Sequence, residues 1–98
     1  MSGAELSAAL LESAAKDAAA RRAMAIEEQA LAVKVAARSA FDESPNDANA
    51  LAFAEAVMAF ARAFALTSRL GAEAKEYKSR LRRRVDDDAS RLAAGELL

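Results

Sequence analysis

The sequence predicts an all-α protein: an antiparallel helical hairpin of two long helices, packed as an oligomeric helical bundle, with Gly71 the one point at which the second helix could kink or break. Three observations predict it. The 98 residues include 29 Ala and 11 Leu, with Glu and Arg supplying most of the charge, and these four types favour helix. Only three Gly and one Pro interrupt the chain, and β-branched residues are scarce, which excludes a sheet protein, a collagen-like chain and a disordered tail. A single corner, Asp42-Glu43-Ser44-Pro45-Asn46-Asp47, divides two long stretches that are almost free of breakers.

The first helix is expected over about 4–41. Ser2 and Glu5 read as a capping box, the Ser hydroxyl accepting from the backbone three residues on. The turn is expected over 42–45, with Ser44 as the next N-cap and Pro45 at the first helical position, where a missing N–H costs nothing. The second helix then runs over about 46–94, and the whole chain, 1–98, forms one hairpin domain. So short a connection makes the helices antiparallel neighbours. Glu12–Lys16, Asp17–Arg21 and Glu76–Arg80 are acid-before-base pairs one turn apart, the more favourable orientation.

Two helices of this length meet along one stripe each, so further apolar stripes call for further partners. On the first helix Ile26, Ala30, Val33, Ala37 and Phe41 form one face, and Met24, Leu31 and Val35 another, with Glu27, Lys34 and Arg38 between. On the second, Phe53, Val57, Phe60 and Phe64 have coiled-coil spacing. Leu51, Met58 and Leu66 lie in other directions. Only Glu55 and Arg62 carry charge between Leu51 and Leu66, which marks that segment as a buried waist. From Leu70 the stripe moves round to Leu70, Ala74, Tyr77, Leu81, Val85 and Leu92. Met24, Leu31, Val35, Phe53, Val57, Phe60, Phe64, Leu70, Tyr77 and Leu81 are therefore the expected interface residues.

Gly71 falls where the stripe jumps. One reading is a glycine inside a continuous or kinked helix. The other is a terminating glycine that yields three helices, over about 4–41, 46–70 and 72–94. No turn residues accompany it, which favours the first.

The chemistry-bearing residue types are sparse. Without His or Cys there is no disulfide, no thiolate or imidazole metal site and no imidazole base. No phosphate-binding glycine loop is present, and the adjacent Glu27 and Glu28 point about 100° apart on a helix. No enzyme, cofactor, metal site or small-molecule substrate is expected. Asp86-Asp87-Asp88 lacks the alternating ligands and glycine of a calcium loop. Each Asp instead follows an Arg by four residues, so Arg82–Asp86, Arg83–Asp87 and Arg84–Asp88 are expected pairs. Arg80, Arg82, Arg83 and Arg84, with Lys75 and Lys78 upstream, are the candidate nucleic-acid contacts. Their spread around the helix, a net charge of −1 and a single nearby aromatic, Tyr77, weigh against that use.

The opening residues carry Glu5 and Glu12 and no basic leader, so no secretory signal is expected. Uncharged stretches such as Ala56–Ala61 and Ala63–Ser68 fall far short of the ~20 residues that span a bilayer. The expected location is the cytoplasm, with no membrane partner. Ten Arg against four Lys, with abundant Ala, is the usage of GC-rich codons and points to a bacterial or phage source.

The Pro45-Asn46-Asp47-Ala48 corner looks like the helix-connecting loop of tetratricopeptide repeats, but it occurs once, with no 34-residue period. The hairpin layout around it is similar to needle and inner-rod subunits of type III secretion systems, a likeness confined to the corner. The function expected from the residues is non-enzymatic: a helical assembly or adaptor protein acting by self-association, as a homo-oligomer, and by contact with a protein partner. The alternatives are a nucleic-acid-associated module of DNA-packaging or nucleoid type, and a secretion-system or phage structural subunit.

Overall fold

The computed structural model describes residues 1–96 and contains two helices, α1 (Gly3–Glu43) and α2 (Asp47–Arg91), followed by a π-helical turn, Leu92–Glu96. Leu97 and Leu98, the end of the expected domain, lie outside the described residues. The two helices pack along their whole length as an antiparallel hairpin, 78 Å long and only 19 by 13 Å across. Its radius of gyration is 22.1 Å, against about 13 Å for a compact domain of this length.

Capping fixes both helix starts. The Ser2 hydroxyl accepts from the Glu5 backbone N–H at 3.1 Å, the N-cap half of a capping box, and donates to the Glu5 carboxylate at 3.3 Å. At the corner the expectation is corrected by two residues. Asn46, not Ser44, caps α2, its side chain accepting from the Asn49 N–H at 2.9 Å, and Pro45 lies outside the helix. Ser44 instead closes α1, its N–H bonding to the Ala40 carbonyl at 3.0 Å. The reason is Asn49, whose amide donates to the carbonyls of Ser44 at 2.8 Å and Ala40 at 3.3 Å. It stitches the end of α1 to the start of α2 and satisfies carbonyls that a helix end leaves without partners.

Shielded positions recur at alternating steps of three and four residues in both helices. On α1 they include Ala23, Glu27, Ala30, Lys34, Ala37 and Phe41; on α2 they include Phe53, Ala56, Phe60, Ala63, Thr67 and Leu70, continuing through Ala74, Tyr77 and Leu81. This seven-residue repeat overturns three expectations. The stripe on α2 does not jump at Gly71, although the helix runs through it unbroken, as the favoured reading of that glycine expects. Val57 and Phe64 stand outside the seam, exposed, as do Ile26 and Val33 on α1. Glu27 and Lys34, expected between two apolar faces, instead face the other helix, with the Lys34 ammonium 4.8 Å from the centre of the Phe60 ring.

The cause is side-chain size. Alanine lets the helix axes approach closely, so the small residues take the seam and the larger ones splay to either side. Lys34 reaches out along its aliphatic stem and keeps its charge near water. The buried apolar set is consequently Ala23, Ala56 and Ala74, joined by Ser13. Larger seam residues, among them Phe53 stacked on Phe41 at 6.3 Å, are half-buried.

Candidate functional site

Two regions carry the features expected to matter: a charged open end, where the start of α1 meets the last turns of α2, and apolar flanks nearer the corner. At the open end, four polar contacts join the helices. The Met1 amino group bonds to Asp88 at 2.5 Å, Glu5 to Arg84 at 3.2 Å, Glu12 to the Tyr77 hydroxyl at 2.9 Å and Asp17 to Lys78 at 2.6 Å. From Met1–Asp88 through Glu5–Arg84 to Glu12–Tyr77 the pairs step forward on α1 and back on α2, which fixes the antiparallel register.

These contacts also reassign the charges. None of the pairs Arg82–Asp86, Arg83–Asp87 and Arg84–Asp88 is formed among the described residues. Arg80 and Arg83 both turn to Glu76, at 3.7 and 3.8 Å, Arg84 crosses to Glu5, and Asp88 bonds the Met1 amino group and Arg91. Glu76–Arg80 is the one expected acid-before-base pair that forms. Glu12 and Asp17 flank the seam and find Tyr77 and Lys78 across it. Arg38–Asp42 at 3.9 Å and Arg69–Glu73 at 3.8 Å are further one-turn pairs, both solvent-exposed and worth little.

Arg80, Arg83 and Arg84 line an open groove of about 700 Å³ with Met1, Asp87 and Asp88. Its lining mixes both signs of charge, so it does not present the unbroken basic surface that a phosphate backbone favours. Hydrogen bonds from the Met1 amino group and then Arg91 hold the Asp88 carboxyl below the usual carboxylate range. The hydrogen bond to Glu12, then partial desolvation and the Glu12 charge, push the Tyr77 phenol above its ordinary range. Among the described residues no group of three or more acidic side chains converges as a metal site would require.

Nearer the corner the chemistry is apolar. Of the expected interface residues, Phe53, Phe60, Leu70, Tyr77 and Leu81 lie in the seam between α1 and α2, whereas Met24, Leu31, Val35, Val57 and Phe64 face outward. Ile26, Val33, Leu51 and Met58 are exposed as well, so the expected waist is not covered by the hairpin itself. By length and composition α2 is apolar enough to cross a membrane, with an 18-residue window of mean hydropathy 1.5. Counting only charge-free stretches missed this, because Glu55 and Arg62 divide the window without making it polar.

Sequence reasoning also missed Asn49 and the Glu12–Tyr77 contact. Asn three residues after a capping Asn is a local signal that was available. The Glu12–Tyr77 contact depends on the inter-helix register and left no such signal. Comparison with protein-family models, curated proteins and solved structures finds no match for this chain.

Proposed function

We propose that this chain is a non-enzymatic helical assembly protein that works by self-association and protein–protein contact, its helices packing as a coiled-coil bundle. One observation carries the reading: the lone hairpin does not cover its apolar side chains. Fourteen of the larger ones are exposed among the described residues, while the buried apolar set is three alanines. A compact 10.3 kDa monomer exposes about 5,400 Å², whereas this hairpin exposes 7165 Å². The excess, about 1,800 Å², is more than the ~800 Å² each partner contributes to a standard interface.

The setting proposed is aqueous and cytoplasmic. Glu55 and Arg62 are exposed on the most apolar stretch of α2, and a charge at the bilayer centre costs about 2.5–3.5 kcal/mol on insertion scales. Other helices cover such a surface at lower cost than lipid does. The competing reading, a nucleic-acid-associated module built on Arg80, Arg82, Arg83 and Arg84, requires phosphate to displace Glu76 and Glu5 from three of the four guanidinium groups. It is the weaker of the two.

Light scattering across micromolar concentrations tests the proposal. The expected result is a mass of at least two chains, with a melting temperature that rises with concentration. A single-chain mass with concentration-independent cooperative unfolding would overturn it.

A further inference from the structure

Asp17 and Lys78 touch across the hairpin at 2.6 Å, so they stand on the same side of it. Because shielded positions repeat every seven residues on both helices, residues seven apart from these two share that side. On α1 the row is Leu10, Asp17, Met24, Leu31 and Arg38. On α2 it is Val57, Phe64, Gly71, Lys78 and Val85. Met24, Leu31 and Phe64 at the centre of this face are 51%, 44% and 55% exposed. The opposite side, around Ile26, Val33 and Leu66, has fewer large apolar residues, and its α1 row carries Glu5 and Glu12 without a base.

We infer that this face binds the same face of a second copy of the chain, α1 lying antiparallel to α1 and α2 to α2 about a two-fold axis, to make a four-helix bundle. The inference rests on the self-association proposed above and specifies its surface and register. Three features of the face support it.

The first is charge. From Asp17 to Arg38 the α1 row runs acid, apolar, apolar, base. Turned end for end about the midpoint between Met24 and Leu31, this stretch sets Asp17 beside Arg38 of the second copy and Met24 beside Leu31 of the second copy. A two-fold interface must be self-complementary in this way.

The second is Gly71. A β-carbon built there meets nothing within 4 Å, so no packing within the hairpin requires glycine, although glycine weakens a helix relative to alanine. The axis that aligns the α1 rows places Phe64 of one copy opposite Gly71 of the other. The notch then receives a phenyl ring, twice per dimer.

The third is that one axis satisfies both helices. The Asp17–Lys78 contact sets the register, so seven residues further on Met24 is level with Gly71, and Leu31 with Phe64. The midpoint between Met24 and Leu31 on α1 is therefore level with the midpoint between Phe64 and Gly71 on α2. The excess exposed area is also ample for one such face.

The chain has no cysteine, so any disulfide comes from an introduced pair. The Met24→Cys and Leu31→Cys single variants are mixed as full-length chains and oxidised. The expected product is the mixed Met24→Cys/Leu31→Cys disulfide, well in excess of either homodimer. Ile26→Cys mixed with Val33→Cys, on the opposite side, is expected to give none. In parallel, Gly71→Leu keeps the helicity of the hairpin but fills the notch, and is expected to raise the dimer dissociation constant by about tenfold or more.

An associated protein that yields only homodisulfides, or that cross-links through 26 and 33, overturns this face and register while leaving self-association standing. Unchanged dissociation in Gly71→Leu overturns the notch and with it the register. A monomer that cross-links through neither pair, or one that instead binds lipid vesicles or a different protein through Met24 and Phe64, overturns self-association and this face together.

Discussion

The Tyr77 hydroxyl donates to the Glu12 carboxylate at 2.9 Å, joining residues 65 positions apart in the chain. The Lys16 ammonium lies 5.4 Å from the centre of the same ring. This cluster is where the polar open end gives way to the Ala- and Phe-lined seam, and it reports on whether the antiparallel register persists in solution.

Tyr77 is the sole tyrosine and there is no tryptophan, so phenolate absorbance reads this one group. Donation to Glu12, more than partial desolvation, raises its pKa. The expected titration midpoint lies above the ordinary value of about 10, and Glu12→Ala returns it toward that value. Because the folded value is the raised one, the stabilisation is complete below the unfolded pKa and is lost as pH rises through the folded one. An unshifted midpoint in the wild type would mean that the register seen here does not hold.

The corner should depend on its two asparagines and not on the Ser44 side chain. Asn46→Ala removes the α2 cap and is expected to cost about 1 kcal/mol. Asn49→Ala removes two bonds to the Ser44 and Ala40 carbonyls and is expected to cost about 0.5–1.5 kcal/mol. Ser44→Ala keeps the backbone bond to Ala40 and stays within about 0.5 kcal/mol of wild type. Urea midpoints at one fixed protein concentration measure all three. A Ser44→Ala loss as large as that of Asn46→Ala would return the cap to Ser44.

The hairpin is legible in the sequence because its determinants are local. The Ser2–Glu5 box, the breaker-poor arms and the Ser44-Pro45-Asn46 corner act within a few residues. The faces are less legible. Ranking residues by apolar size puts Phe53, Val57, Phe60 and Phe64 on one stripe, yet the seam takes Phe53, Ala56, Phe60 and Ala63. In an alanine-rich pair closeness outweighs bulk, and the signal was the seven-residue recurrence of Ala23, Ala30 and Ala37 against Ala56 and Ala63. The apparent jump of the stripe at Gly71 came from the same error. The Arg–Asp ladder failed for a different reason. Glu76, one turn before Arg80, also reaches Arg83, and the register brings Glu5 to Arg84; a four-residue count along one helix leaves out these last two contacts.

Phe60 and Phe64, with ring centres 6.3 Å apart, should behave differently when truncated. Phe60 is half-buried in the seam beside Lys34, so Phe60→Ala removes intrachain packing and is expected to cost about 2 kcal/mol, below the range for fully buried Phe. Phe64 is exposed in the single hairpin, so Phe64→Ala is expected to leave the helicity of dilute protein intact. It should instead abolish the rise of melting temperature with concentration. Circular dichroism melts at two widely separated concentrations distinguish them, and equal losses in both variants at low concentration would place Phe64 in the hairpin core.

The Arg cluster should contribute to the open end and bind duplex DNA weakly or not at all. Arg80 and Arg83 are engaged with Glu76 and Arg84 with Glu5, which leaves Arg82 without an ion-pair partner among the described residues. Arg84 bridges the helices, and both its side chain and that of Glu5 are more than half exposed. Their pair is therefore worth at most about 1 kcal/mol. Changing Arg82, Arg83 and Arg84 together to Gln is expected to lower stability modestly and to leave the oligomer mass unchanged. Random duplex binding over a salt series is the decisive measurement. The expected outcome is no binding for either protein at physiological salt. A functional phosphate site would instead give wild-type affinity whose logarithm falls with log salt, at a slope near −0.9 per phosphate neutralised. If the triple variant lost that binding while keeping its helicity and mass, the nucleic-acid reading would displace the one proposed here.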